Sequence, residues 1–268
     1  MAGAGAGRRA VRLRDYMDVL ALLHQRGEAP VIVGGHAVNL WAEVFAAEEP
    51  ELVEFLPFHS EDLDLHQPNL GTLRLLRTLS SRVEEPRDPF SKAWTIVGPI
   101  FFLESPEGKQ LAIDSLKMVA GLRPEDIRKG TTEVEVHDVP VRVLSPIALL
   151  KAKAYNVLHI DQSDRQDEKH FRILVLCVRA FVRRLLNEAR NHPGTRRLLN
   201  ALETVLRTTG HREVIAAATK LHLDLQRALP LAELRAAQFP HVANFVAQRL
   251  PYWRWLRQPE ARGKSQDA

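Results

Sequence analysis

A single cysteine, Cys177, stands in the 268 residues, so no disulfide can close within the chain. That scarcity fits a reducing compartment, and a cytoplasmic location is expected. Cys177 lies in the apolar run 173–178 and is read as a packing residue, not a nucleophile. Long hydrophobic runs are also missing. A membrane-crossing helix needs about 18 or more consecutive apolar residues, whereas the run 143–150 is interrupted by Ser145 and Pro146. No span, and no membrane partner, is expected. The leading arginines Arg8 and Arg9 are followed by no apolar segment, so residues 1–10 read as a frayed tail rather than a secretory signal. His159, His170 and His222 show no paired ligand spacing, which argues against zinc. There is no internal repeat. With 45% apolar and 26% charged residues, collagen-like, low-complexity and wholly disordered chains are excluded.

What is present is an uneven distribution of charge. Residues 161–268 carry 19 Lys/Arg against 11 Asp/Glu, whereas residues 1–160 carry 18 against 22. A basic half suggests contact with a polyanion, and an acidic half suggests carboxylates kept for another purpose. Arg172, Arg179, Arg183 and Arg190 follow seven- and four-residue steps, which predicts one arginine-lined helix face. Arginine suits phosphate because its planar fork makes bidentate contacts, so the expected polyanion carries phosphates.

Hydrophobic periodicity divides the chain near residue 145. Before it, the spacing predicts a helix over 11–25 closing at Gly27, a strand over 30–33, a helix over 36–47, a strand over 62–65 and a helix over 70–81. Strands follow over 94–97, 100–104 and 110–116, with turn composition at 105–108, and a hairpin over 132–143 bends at His137 and Asp138. Ser145 before Pro146 is a strong helix start. Helices are then predicted over 145–158, 165–189, 194–207, 212–228 and 231–249. The expected class is α+β, a mixed sheet with flanking helices followed by an all-helical part. The expected divisions are a tail (1–10), a core (11–144), a basic helical domain (145–250) and a polar tail (251–268).

Three features of the first part carry chemistry. Gly34-Gly35 sits between a strand and a helix, where backbone can approach a ligand and a helix N-terminus favours phosphate. Asp62 and Asp64 alternate along a strand, so both carboxylates project from one face. Two adjacent like charges are costly unless a cation lies between them, and an all-oxygen cluster suits Mg2+ or Mn2+. Asp114 stands in an otherwise apolar strand, where burial is expensive unless something positive compensates it. Glu104 is its rival as third carboxylate. His36 reads as a helix-start cap, and Arg165, Asp167 and Lys169 read as a solvated charge network.

Gly-Gly, then Asp-x-Asp, then a lone Asp on a later strand resembles the nucleotidyltransferase superfamily. The stretch Val31-Ile-Val-Gly-Gly-His-Ala-Val-Asn-Leu40 resembles its glycine motif, and Ser60-Glu-Asp-Leu-Asp-Leu65 its paired-aspartate motif. Leu144-Ser-Pro-Ile-Ala-Leu-Leu-Lys-Ala-Lys-Ala154 and Arg165–Lys169 are similar to segments of the AbiEii-like abortive-infection toxins. The resemblance covers roughly residues 30–170 and leaves the last hundred or so unexplained. It implies metal-dependent transfer of a nucleoside monophosphate from a nucleoside triphosphate to an acceptor, with tRNA or another RNA first among acceptors and an antitoxin protein as a partner. On the same basis Asp62, Asp64 and Asp114 bind metal and carry catalysis, while Gly34, Gly35, Ser60 and Lys151 contact the nucleotide. The chain departs from the pattern in two places: residues 48–58 lengthen the path from the glycines to Asp62, and Phe58 stands where relatives carry an arginine. A small-molecule (antibiotic) nucleotidyltransferase and a non-catalytic nucleotide- or RNA-binding module are the alternatives.

Overall fold

The computed structural model describes residues 10–85, 97–163, 165–191 and 196–255. At its centre lies a mixed sheet of β1 (Val31–Val33), β2 (Leu63–His66), β3 (Arg82–Glu84), β4 (Val97–Glu104), β5 (Gln110–Leu116), β6 (Thr131–Val136) and β7 (Val139–Leu144). The spatial order is β3-β4-β5-β2-β1-β7-β6. The pairs β4/β5 and β6/β7 are antiparallel, as expected of hairpins. The central pairings are long-range: β2 runs parallel to β5, β1 antiparallel to β2, and β1 parallel to β7. All three residues of β1 are buried, which accounts for its β-branched, wholly apolar sequence.

Flanking the sheet are α1 (Met17–Gln25), α2 (Gly34–Phe45), α3 (Leu70–Leu79) and α4 (Pro124–Gly130). The helical part comprises α5 (Pro146–His159), α6 (Asp167–Asn191), α7 (Arg196–Thr209), α8 (Arg212–Lys220), α9 (Leu231–Ala236) and α10 (Pro240–Trp255). Ser145 caps α5 as expected, accepting the Ala148 amide at 3.4 Å with Pro146 in the first turn. The α+β class is therefore observed.

Several predicted boundaries shift for identifiable reasons. The 11–25 segment begins as a 3-10 turn (Leu13–Tyr16), because Val11 is held in a β-bridge to Ser60 and the Arg12 amide donates to Asp15. The 212–228 helix stops at Lys220, and His222 then adopts φ 54°. The 231–249 helix splits into α9 and α10, the second opening at Pro240. β3 and α4 have no predicted counterpart. Of the strand expected over 94–97, residues 94–96 lie outside the described residues. The polar tail expected from 251 begins instead as helix, since α10 runs through Pro251 to Trp255. Trp253 fixes it there, buried and donating Nε1–H to Thr209 Oγ1 at 3.0 Å.

One hydrophobic core runs from Val11 to Trp253 and includes Cys177. α6 packs on both α2 and α5, so residue 145 marks a change of secondary structure and not a break in packing. Among the described residues no helix is long and apolar enough to cross a membrane.

The central arginines of α6, Arg179 and Arg183, are largely covered by other parts of the chain. Residues 48–58 fold over them through a 3-10 turn (Pro50–Phe55), with Leu52 and Phe58 buried beneath. Arg179 donates to Glu49 at 2.5 Å and to Glu51 at 2.7 Å. Arg183 bonds Glu49 at 2.6 Å and Glu233 at 2.9 Å, and Arg184 bonds Glu48 at 2.6 Å. Arg227 pairs with Glu51, and Arg172 donates to the Leu221 carbonyl. Of the four predicted arginines, Arg179 and Arg183 meet an acidic segment of the chain itself, whereas Arg190 is exposed and donates to Asn187 at 3.2 Å.

Candidate active site

β2 and β5 bring two aspartates side by side. Asp64 pairs in register with Asp114 across this parallel ladder, so both side chains leave the same face of the sheet. Leu63 and Leu65 point the other way and are fully buried, which fixes the register: a slip by one residue would turn the carboxylates into the apolar core and the leucines out of it. Asp62 lies just before β2 and two residues from Asp64. Burial lifts the Asp64 carboxyl well above the usual carboxylate range, and the charges of Asp62 and Asp114 lift it further. Lys153 and Arg165 pull in the opposite direction. Glu104, the rival acid, sits opposite Gln110 at the exposed end of β4, far along the ladder from the Ile100–Asp114 pair.

Among the described residues no three His, Cys, Asp or Glu side chains are gathered tightly enough to hold a metal ion. The strand register makes Asp64 and Asp114 neighbours, and Asp62 stands two residues from Asp64. The donor chemistry nevertheless fits a hard divalent cation. The cluster is all oxygen, and the mutual repulsion that raises Asp64 is what such a cation would relieve.

The glycine turn abuts this cluster. Val33 pairs with Asp64, and Gly34, at φ 68°, then swings the chain directly into α2. A Cβ on Gly34 would lie 1.7 Å from Asp64 Oδ2, and one on Gly35 would lie 2.4 Å from Ser60 Oγ. Gly34 is therefore required by its backbone angle as well as by close approach, and at Gly35 a side chain would crowd Ser60 and His170. The result places the positive end of α2 against the acidic centre, with Ser60 at its edge.

Lys151 does not turn toward the acidic centre; its Nζ bonds Asp126 on α4 at 2.9 Å. Lys153, two residues on and about 200° around the helix, is the one whose charge reaches Asp64. It is buried and bonds Asp167 Oδ1 at 2.5 Å. Asn156 reaches the same oxygen at 3.3 Å, and Arg165 Nε takes Asp167 Oδ2 at 2.6 Å. Asp167 is only 1% exposed, and these cations hold its carboxyl well below the usual range against the opposing effect of burial. The expected solvated network is thus centred on a buried carboxylate, with Arg165 itself partly exposed. Lys169 leaves it and donates to the Pro57 carbonyl. Residue identity was legible at 153, 165 and 167, but their convergence needed the α5–α6 packing.

His36 is not a helix cap. It is fully buried and meets Tyr16 edge-on at 5.1 Å between centroids. His170, weighed in the sequence only as a zinc ligand, packs with its Cε1 3.3 Å from where a Gly35 Cβ would stand. Neither imidazole, nor the buried Asn39 amide one turn further along α2, has a hydrogen-bond partner among the described residues. Burial holds His36 down to about 4 and His170 well below its ordinary value, so both are neutral. The cationic groups sensed at Asp64 are therefore Lys153 and Arg165.

The fold and site together define an α+β protein with neighbouring carboxylates at the centre of a mixed sheet, facing a glycine-initiated helix. No protein-family model matches the chain, and no curated protein matches it. Among solved structures it is similar to an antigenic nucleotidyltransferase-like protein from Paracoccidioides brasiliensis, at 16% identity and a TM-score of 0.39, over 81% of this chain and 97% of that one. A likeness of that degree carries no argument about activity, which rests on the residues themselves.

Proposed function

We propose that this chain is a metal-dependent nucleotidyltransferase that moves a nucleoside monophosphate from a nucleoside triphosphate to an acceptor hydroxyl. The observation that carries the reading is the in-register Asp64–Asp114 pair, with Asp62 two residues away, set against the Gly34-Gly35 start of α2. Asp62, Asp64 and Asp114 would hold Mg2+ or Mn2+, which when bound supplies charge neutralisation of the triphosphate and of the leaving diphosphate. Gly34 and Gly35 let the triphosphate approach the α2 amides, and Ser60 offers a hydroxyl at the rim. Asp114, on the strand beside Asp64, orients the acceptor and takes its hydroxyl proton on a carboxylate oxygen. Lys153 balances the acidic cluster from α5, in the place first assigned to Lys151.

RNA, tRNA first, is the proposed acceptor on the resemblance alone, with a toxin–antitoxin setting and an antitoxin partner belonging to the same proposal. The α6 arginines lend it no support, since they are paired with Glu48, Glu49, Glu51 and Glu233. That pairing favours a second reading, a small-molecule acceptor. The test is incubation with α-labelled nucleoside triphosphates, Mg2+ and either total RNA or a panel of hydroxylated small molecules. Label on RNA supports the first reading and label on a small molecule the second. No transfer to any acceptor, with wild type indistinguishable from Asp64→Asn, would overturn the activity.

A further inference from the structure

Resting on the nucleotidyltransferase reading, we propose that Arg165 is the residue that grips the outer phosphates of the nucleoside triphosphate and sets the preference for a triphosphate over shorter nucleotides. The need for a cation is visible in the sequence. Residues 27–73, which hold the glycine turn, Ser60 and both paired aspartates, contain no lysine or arginine. Phe58, on the approach to Asp62, is packed in the core. Positive charge must therefore reach the centre from elsewhere in the fold.

Two cations do so, and they differ in kind. Lys153 is buried and committed to Asp167. Arg165 is anchored by Nε alone, donating to Asp167 Oδ2 at 2.6 Å, while its side chain remains 43% exposed. Asp167 is buried and its other oxygen is taken by Lys153 and Asn156, so it holds Nε without competing for the far edge of the guanidinium. The terminal amines of Arg165 take no hydrogen-bond partner among the described residues. A guanidinium fixed at Nε with two free N–H2 groups presents a planar fork suited to two phosphate oxygens. His170, one turn along α6 from Asp167, packs against Gly35, so the start of α6 that anchors Arg165 lies beside the glycine turn. Arg165 is thus a binding residue positioned by a buried carboxylate, and Lys153 balances that carboxylate from the other side.

The test compares binding of a nucleoside triphosphate, diphosphate and monophosphate, each with Mg2+, to wild type, Arg165→Gln and Arg165→Lys by calorimetry. Hydrogen bonds to charged groups are strong enough that Arg165→Gln should lose about tenfold or more in triphosphate affinity. Monophosphate affinity should stay within about twofold, as no contact to it is removed. Arg165→Lys keeps the charge without the Nε anchor and should fall between the two. In turnover, KM for the triphosphate should rise more than kcat falls. If Arg165 serves only to neutralise Asp167, all three nucleotides weaken equally and Arg165→Lys restores them, which overturns the proposal. Undiminished triphosphate preference in Arg165→Gln also overturns it, leaving the nucleotidyltransferase reading intact. Wild type that binds no nucleotide overturns that reading itself, and this inference with it.

Discussion

Glu49→Gln tests whether the arginines of α6 hold the fold together or serve a ligand. Glu49 is 3% exposed and its carboxylate is shared by Arg179 and Arg183. The substitution preserves shape and removes the charge, leaving two guanidiniums facing an amide. Removing one partner of a buried ion pair costs about 3–5 kcal/mol. Here Arg179 keeps Glu51, Arg183 keeps Glu233, and both reach some water, so about 2–3 kcal/mol is expected. For a chain of this size that lowers Tm by about 5–10 °C. Glu48→Gln provides the contrast, because the Arg184–Glu48 pair is well exposed on both sides; it should cost under about 1 kcal/mol. Thermal and urea unfolding of both variants at low and moderate salt measures the difference. The larger loss should persist in salt, since buried pairs are weakly screened. Equal, small losses for the two variants would refute the clamp, as would an Arg179→Glu variant that folds normally and fails only in RNA binding.

Further outcomes follow from the site. Gly34→Ala should cost about 1–3 kcal/mol and abolish transfer, because its new Cβ displaces the Asp64 carboxylate. Gly27→Ala is the control, with a similar φ of 75° but open space around it; it should lose stability and keep activity, and equal activity in the two variants would sink the argument. In Asp64→Asn, studied in chelator, the stability gain over wild type should grow as pH rises above about 3.8. The raised folded-state value means the native state binds more protons than the unfolded one there, so wild-type stability falls with pH. A pH-independent difference would refute the carboxylate repulsion. His36 and His170 act in the other direction. Both are neutral in the folded protein and protonate near 6.5 when unfolded, so stability should fall as pH drops from about 6.5 to about 4. Urea midpoints across that window, with His36→Leu flattening the slope, provide the check.

Much of this protein was legible before any coordinates, and the reason is local. Alternation at Leu63, Asp64 and Leu65 reports a strand with one buried face, and register then has little freedom. Gly34-Gly35 after a β-branched run marks a sharp strand-to-helix turn, and Ser145-Pro146 marks a helix start, because capping chemistry spans only a few residues. The parallel pairing that sets Asp114 beside Asp64 joins residues 50 positions apart, and no short-range pattern encodes it. Helix geometry could say that Lys151 and Lys153 face opposite ways, but not which way the α5 axis is rolled; packing against α4 and α6 decided that. The same holds for α6. Its spacing determined that the arginines share a face, whereas the fold of residues 48–58 determined that the face meets glutamates. Periodicity fixes what an element presents; only the tertiary structure decides what it is presented to, because that depends on contacts between segments whose separation along the chain leaves no periodic trace.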